Sequence, residues 1–415
     1  MAKKKKTTKK IGPRDAPILV HSISDLHFME KNAIRLYQEL QQVLQLTYDE
    51  KPDLFVIAGD IFHMKSALDS GAAEYALRFV VDLLEVMDGR PIRIVGGTRT
   101  HDHGSLRCFR MFNEQNLHVH TTCCSEDISM RDDLDDLKIL YLPEEYPKDW
   151  REYYKDFIVQ EGEETEDGLP KYDLILGHGM IDFAAFSDLV IESERNVQAA
   201  VVWPLTVLEE TATLSLFGHI HAPMDKHGRV FYHSSFTRFA FGEDGQKGWL
   251  RSGIWPKSDP KGPACETERV QNIMAPGFKT LLLSEFYDDT RTSEALISLA
   301  EEYVPKNGKL RVRIDLQPDP EVWAFIALAR ETWANDPAVI LDTSNLAKLR
   351  TPEDEAEEAE EDERLAFVHD DLPKHEVVAK FSEEKYPTAP VTADEALRFM
   401  QQPADERKRP ASATK

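Results

Sequence analysis

Five apolar runs in this chain end on a carboxylate or an imidazole: Asp25-Leu26-His27, Gly59-Asp60, Thr100-His101-Asp102, Gly177-His178-Gly179 and Gly218-His219-Ile220-His221. Carboxylate oxygens and imidazole nitrogens, with no thiolate among them, suit manganese, iron or zinc at positions left open to a substrate, rather than a closed structural zinc site. One carboxylate between two groups of donors can bridge two cations, and Asp60 is the candidate bridge. Two cations roughly 3.5 to 4 Å apart can hold a hydroxide and neutralise a phosphoryl group during in-line displacement. A separate imidazole that is not a ligand could protonate the leaving oxygen, and His101 is the candidate. A lone Asp-x-His is more often a turn aspartate beside a surface histidine; the repeated ending carries the inference.

The elements that must position these residues alternate in type. Residues 17–24, 53–58 and 91–95 read as strands. Between them, residues 32–50 carry Ile34, Leu36, Leu40, Val43 and Leu44 at helical intervals, and residues 70–87 repeat the pattern. Strands alternating with helices of this length predict βαβ units, and strands buried on both faces read as near-continuous apolar runs. In open α/β sheets the carboxyl ends of such strands are where ligands bind, so the five endings fall in the expected place. Short strands follow at residues 118–120, 137–142, 172–176 and 214–217. Trp150, Tyr153, Tyr154 and Phe157 read as the packed face of a helix ahead of an acidic insertion. Beyond Lys226 the pattern turns antiparallel, with turn signals at His227-Gly228 and Asp244-Gly245.

The composition shift over residues 255–276 predicts a boundary that closes a first domain over residues 15–258. A small α+β unit is expected over residues 275–350. The net charge of −24 is unevenly spread: residues 1–14 hold six lysines and one arginine without an acid, and residues 353–363 hold nine acids without a base. The first run reads as a disordered basic arm and residues 351–364 as an extended acidic linker. Residues 365–402 then read as two short amphipathic helices whose apolar side chains, Leu372, Val377, Val378, Phe381, Leu397 and Met400, suit a partner surface or this chain's own body. Residues 403–415 read as a disordered tail. A body so acidic repels polyanions at long range, so contact with nucleic acid would need metals, local basic patches or a partner. Four cysteines without C-x-x-C spacing fit a reducing compartment, and no apolar run reaches the length of a membrane span, so a cytoplasmic protein is expected.

The order D-x-H, G-D, a degenerate N-H-D, G-H and G-H-x-H resembles the signature of calcineurin-like metallophosphoesterases. Gly59-Asp60-Ile61-Phe62-His63 is similar to the G-D-[IL]-F-[DH] of SbcD-type DNA repair nucleases. Tyr232 to Arg238 with Phe241-Gly242-Glu243 resembles their Y-P-G-S-P-x-R…F-G-E stretch, from which it departs at His233, Ser234 and Phe236. The resemblance implies an α/β fold: a four-layer β-sandwich flanked by helices, with a small α+β capping domain and C-terminal helices that bind an ATPase. It implies that Asp25, His27 and His221 hold one manganese, that His178 and His219 hold the other, and that Asp60 is shared, magnesium being a possible substitute. His101 would be catalytic, and Ser235 and Arg238 would bind substrate. Thr100 stands where the family has an asparagine ligand, and its hydroxyl is a poorer and shorter one: either the second metal is bound more weakly, or Thr98, Asp102 or water completes that metal's shell. The implied function is exonuclease and endonuclease cleavage of DNA by a homodimer working with an SbcC-like coiled-coil ATPase. No G-x-x-x-x-G-K-[ST] is present, so ATP hydrolysis would belong to that other chain. A phosphatase or cyclic-nucleotide phosphodiesterase on the same scaffold, and a metal-poor subunit that binds DNA ends, are the alternatives.

Overall fold

The computed structural model describes residues 17–346 apart from 103, 130–135, 161–164, 166–167, 186–200, 244, 258, 260–261, 289, 306 and 318. The basic arm, acidic linker, terminal helices and tail expected at 1–14 and 351–415 lie outside the described residues. Among the described residues two compact units are distinguished: residues 17–281 with 300–311 and 335–340, and residues 282–299 with 312–334 and 341–346.

The first unit is built on two six-stranded sheets. One has the order β14-β13-β1-β2-β3-β4, with β1 Ile18–Ile23, β2 Leu54–Ala58, β3 Ile92–Val95, β4 Leu117–His120, β13 Gly248–Trp255 and β14 Ala264–Gln271. The other has the order β11-β12-β10-β7-β6-β5, with β5 Cys124–Ile128, β6 Leu137–Leu142, β7 Tyr172–His178, β10 Ala212–Gly218, β11 Met224–Lys226 and β12 Val230–Tyr232. Two short strands, β8 Met180–Ile181 and β9 Val202–Trp203, pair with each other in parallel. β1 to β4 run parallel in the first sheet, as do β6, β7 and β10 in the second. The parallel strands need crossover connections, and helices α1 (Ala33–Glu50) and α2 (Gly71–Met87) supply two of them.

Strand alternation divides the apolar residues between two kinds of contact. Leu54 and Val56 of β2, Leu174 and Leu176 of β7 and Leu214 and Leu216 of β10 share one core between the sheets. Phe55 and Ile57 turn the other way and pack with Leu36, Leu40, Phe79 and Leu83 of α1 and α2. Ile175 and Phe217 likewise join Tyr154, Val207 and Leu208, from helices Trp150–Tyr154 and Leu205–Thr211. Four layers result: helices, sheet, sheet, helices. The buried stripe of α1 is Ala33, Leu36, Leu40, Val43, Leu44 and Thr47, with Glu39, whereas Ile34 is exposed. At about 100° per residue Ile34 lies nearly opposite Leu36 and Thr47, on the far side of the helix from the middle of the stripe.

The expected boundary after residue 258 moves. Ala264–Gln271 pairs antiparallel with β13 along its whole length, so the Pro/Gly/Lys-rich stretch is the loop of a hairpin rather than an interdomain connection. The later strands, β15 Phe278–Leu282, β16 Lys309–Arg313 and β17 Val339–Asp342, form a three-stranded sheet in that order. In the second unit the helices Leu283–Phe286 and Pro320–Thr332 bring Phe286, Phe325 and Trp333 together edge to face. Asp319 caps the longer helix by accepting from the Val322 N–H at 2.7 Å. Among the described residues no helix is long and apolar enough to cross a membrane, and the four cysteines form no disulfide.

Candidate metal centre

The loops leaving β1 and β2 run side by side. The Asp25 N–H donates to the Gly59 carbonyl at 3.0 Å, His27 N–H to Asp60 at 2.9 Å and Phe28 N–H to Ile61 at 2.8 Å. This ladder continues past the strand ends and delivers Asp25, His27 and Asp60 to one place. Asp25, His27, Asp60 and His219 all adopt positive φ, at 51°, 47°, 54° and 95°. Such backbone costs a non-glycine residue about 1 to 3 kcal/mol and collects at functional sites. Two glycines are demanded by close approach: a Cβ on Gly59, at φ +84°, would lie 2.3 Å from His178 Nδ1, and one on Gly97 would lie 2.2 Å from Asp60 Oδ1.

The side chains form two groups that meet at Asp60. On one side Asp25, His27 and His221 aim ligand atoms within 4.8 Å of one another, and the Nε2 atoms of His27 and His221 are 3.0 Å apart. On the other side His178 and His219 converge with Glu144. Asp60 Oδ2 lies 2.7 Å from His101 Nδ1, 3.3 Å from His178 Nε2 and 3.8 Å from His27 Nε2. The His178 ring is oriented by Nδ1–H donating to the Ala58 carbonyl at 2.8 Å, which turns Nε2 toward Asp60. Asp25 accepts the His219 main-chain N–H at 3.0 Å, so the last loop is tied to the first.

Electrostatics follow from burial. Burial lowers His27 and His219, favouring the neutral imidazole that ligates cations. Burial opposes charge on Asp60 and His178 too, but their mutual attraction prevails: Asp60 is held well below the usual carboxylate range and His178 well above the usual imidazole range. Burial also works against a charged His101, yet the hydrogen bond and charge of Asp60 raise it overall. Carboxylates and imidazoles buried this closely, without a thiolate, fit a pair of first-row divalent cations in donor type and in convergence.

The structure thus brings together Asp25, His27, Asp60, His101, His178, His219 and His221. Three other expected site residues are placed elsewhere. Thr100 is exposed, whereas Thr98 is buried with its hydroxyl 3.2 Å from Asp60 Oδ2. The chain enters the site across Gly97, and the short helix α3 (Arg99–Asp102) then carries Thr100 outward. Ser235 is fully buried, accepting from Lys247 Nζ at 2.7 Å and donating to Glu243 at 3.2 Å, so it fixes a loop rather than facing a substrate. Arg238 donates to the main-chain carbonyls of Glu243, Gly245 and Pro276, at 3.0, 3.1 and 3.3 Å, and clasps the same loop. Asp102 also works through the backbone: its carboxylate accepts from the N–H groups of Asp60, Phe62 and Gly97.

Sequence reasoning missed Glu144, whose side chain is 2% exposed and whose Oε2 accepts from Thr98 Oγ1 at 2.9 Å. The signal was available, because Glu144 directly follows the apolar run Leu137–Leu142 and Pro143, one more strand with a carboxylate at its end.

Residues 18–223 match the profile of the family described as calcineurin-like phosphoesterase. No curated protein matches the chain. The matched span runs from the first residue of β1 to just beyond His221 and so contains both groups of donors. This match and the converging donors support a calcineurin-like metallophosphoesterase domain over residues 18–223, and with it metal-dependent hydrolysis of phosphoesters in general.

Proposed function

We propose that this protein is the nuclease subunit of an SbcC–SbcD-like complex and hydrolyses DNA phosphodiester bonds, as an exonuclease and endonuclease, with two manganese ions. The observation that carries the reading is the position of Asp60, whose carboxylate lies between the Asp25/His27/His221 group and the His178/His219 group. Asp25, His27 and His221 would hold one cation, His178 and His219 the other, and Asp60 both. When bound, such a pair neutralises charge on a phosphoryl group and lowers the pKa of water.

The chain's own residues supply the rest. His101 keeps Nδ1–H on Asp60, which orients the ring with Nε2 away from that hydrogen bond, and its raised pKa suits an imidazolium that donates to a leaving oxygen. The ring remains about a quarter exposed, so a substrate can reach it. Beside the site Arg99, Arg107 and Arg110 line a cavity of about 400 Å³ together with Gly97 and Glu144. These exposed guanidinium groups give an otherwise acidic surface a local place for phosphates, as a polyanionic substrate requires. The ATPase partner is assigned to the segment 365–402, and the active form to a homodimer.

Digestion of end-labelled duplex DNA with manganese, with and without an SbcC-like partner, tests the reading. Shortened and internally cut products, lost on Asp60→Asn, are expected. Hydrolysis of bis(p-nitrophenyl) phosphate with DNA left intact under both conditions would replace it with a small-molecule phosphodiesterase.

A further inference from the structure

The His178/His219 side of the centre contains a carboxylate for which the two-cation reading has given no role. Glu144 Oε2 lies 3.8 Å from His219 Nδ1 and 3.9 Å from His178 Nε2, and all three ligand atoms fall within 4.8 Å of one another. The Glu144 side chain is 2% exposed, and among the described residues the ion-pair partners found for it are those two imidazoles, with no lysine or arginine. A buried carboxylate without a cation is costly. Its surroundings also hold it in place. The Tyr146 hydroxyl donates to Oε1, and the Thr98 hydroxyl lies 2.9 Å from Oε2 and 3.2 Å from Asp60 Oδ2. His101 Nδ1–H already serves Asp60 Oδ2 at 2.7 Å, so the Thr98 proton is free for Glu144; two neutral hydroxyls thus hold the Glu144 carboxylate in place without supplying the positive charge that a cation would.

We infer that Glu144 is a direct ligand of the cation held by His178 and His219, with Thr98 and Tyr146 as the residues that position it. The assignment rests on the two-cation reading and deepens it. Thr100, two residues beyond Thr98 and exposed, has no part in that shell. With Glu144 the set becomes Asp25, Asp60 and Glu144 plus four imidazoles, so three carboxylate charges face two divalent cations. A carboxylate in this position binds the second cation more tightly than a neutral oxygen would, and it leaves one unit less positive charge for the phosphoryl group. Hard oxygen donors added to a His₂ site also shift its preference toward manganese and magnesium.

Manganese binding by the full-length chain provides the test. Equilibrium dialysis with elemental analysis counts the ions, and electron paramagnetic resonance distinguishes a spin-coupled pair from an isolated ion. Loss of residues that merely orient a ligand costs about 10- to 100-fold in affinity, so Glu144→Ala, which removes a ligand, should weaken one of two sites by about 100-fold or more and leave an uncoupled signal. The near-isosteric Glu144→Gln, which guards against a misfolded Glu144→Ala, should weaken the same site less, and Thr100→Ala should keep two ions. Two tight sites with a coupled signal in both Glu144 variants would overturn the assignment while leaving the two-cation centre standing. Fewer than two ions on the unaltered chain would overturn that centre and the assignment with it.

Discussion

His101 and Asp60 show how one short contact can serve two tasks. The 2.7 Å bond from Nδ1 fixes the imidazole, and the carboxylate at its other end also lies between the two groups of ligands. Removing the ring should therefore affect proton transfer without removing a ligand. His101→Ala is expected to lower kcat on bis(p-nitrophenyl) phosphate by about 10² to 10⁴ while the manganese content is unchanged, as steady-state kinetics and metal analysis would show. A parallel loss of metal would move His101 into the coordinating set. Thr98 and Thr100 make the complementary point: identical side chains two positions apart have different fates, one buried against Asp60 and one in solvent.

At the scale of elements, the centre depends on loops held against each other. Asp102 draws together the main chains of Asp60, Phe62 and Gly97, and Gly97 must have no Cβ because Asp60 occupies that space. Gly97→Ala should separate the loops after β2 and β3 and reduce manganese affinity; unchanged binding in a dialysis experiment would refute this. The loop bearing Ser235 and Arg238 is held by a second device, the Glu243–Lys247 ion pair at 2.8 Å, with side chains 4% and 1% exposed. Burial raises Glu243, but hydrogen bonds and charges from His221 and Lys247 outweigh it and hold the carboxyl at about 2, against 4.5 ordinarily. A depressed folded-state pKa contributes stability above pH 4.5 that disappears as pH falls toward 2. Glu243→Gln should thus cost about 3 kcal/mol near pH 7 and nothing near pH 2, read from denaturant unfolding across that range. A cost independent of pH would mean that packing, not charge, holds the loop.

For the molecule as a whole, the acidic balance of −24 sets its behaviour toward polyanions, whereas buried histidines set its behaviour toward acid. Burial lowers His233 to about 3 and His120 to about 4. An imidazole whose folded-state pKa lies below its unfolded value of 6.5 adds stability above pH 6.5, and that contribution is lost as pH falls toward the folded value. Tm should therefore drop steadily between pH 6.5 and 4. His233 Nδ1–H donates to the Phe217 carbonyl at 2.8 Å, a bond that a glutamine amide can imitate without titrating. His233→Gln should flatten the acid slope of Tm, removing on the order of 5 kcal/mol of pH-dependent stability; an unchanged slope would place the sensitivity elsewhere.

The sequence by itself determined the alternation of strands and helices, and with it the fact that Asp25, Asp60 and His219 follow strands and His178 ends one. Burial on one helix face or on both strand faces is a short-range property that residue order records directly. The tertiary structure decided what depends on the meeting of distant segments. Glu144 enters the site because β6 lies beside β7, Arg238 turns to backbone carbonyls because its own loop folds over it, and Ala264–Gln271 becomes a strand because β13 offers it an edge. Each of these outcomes depends on a neighbour fixed by packing of remote elements, and no local period encodes that neighbour.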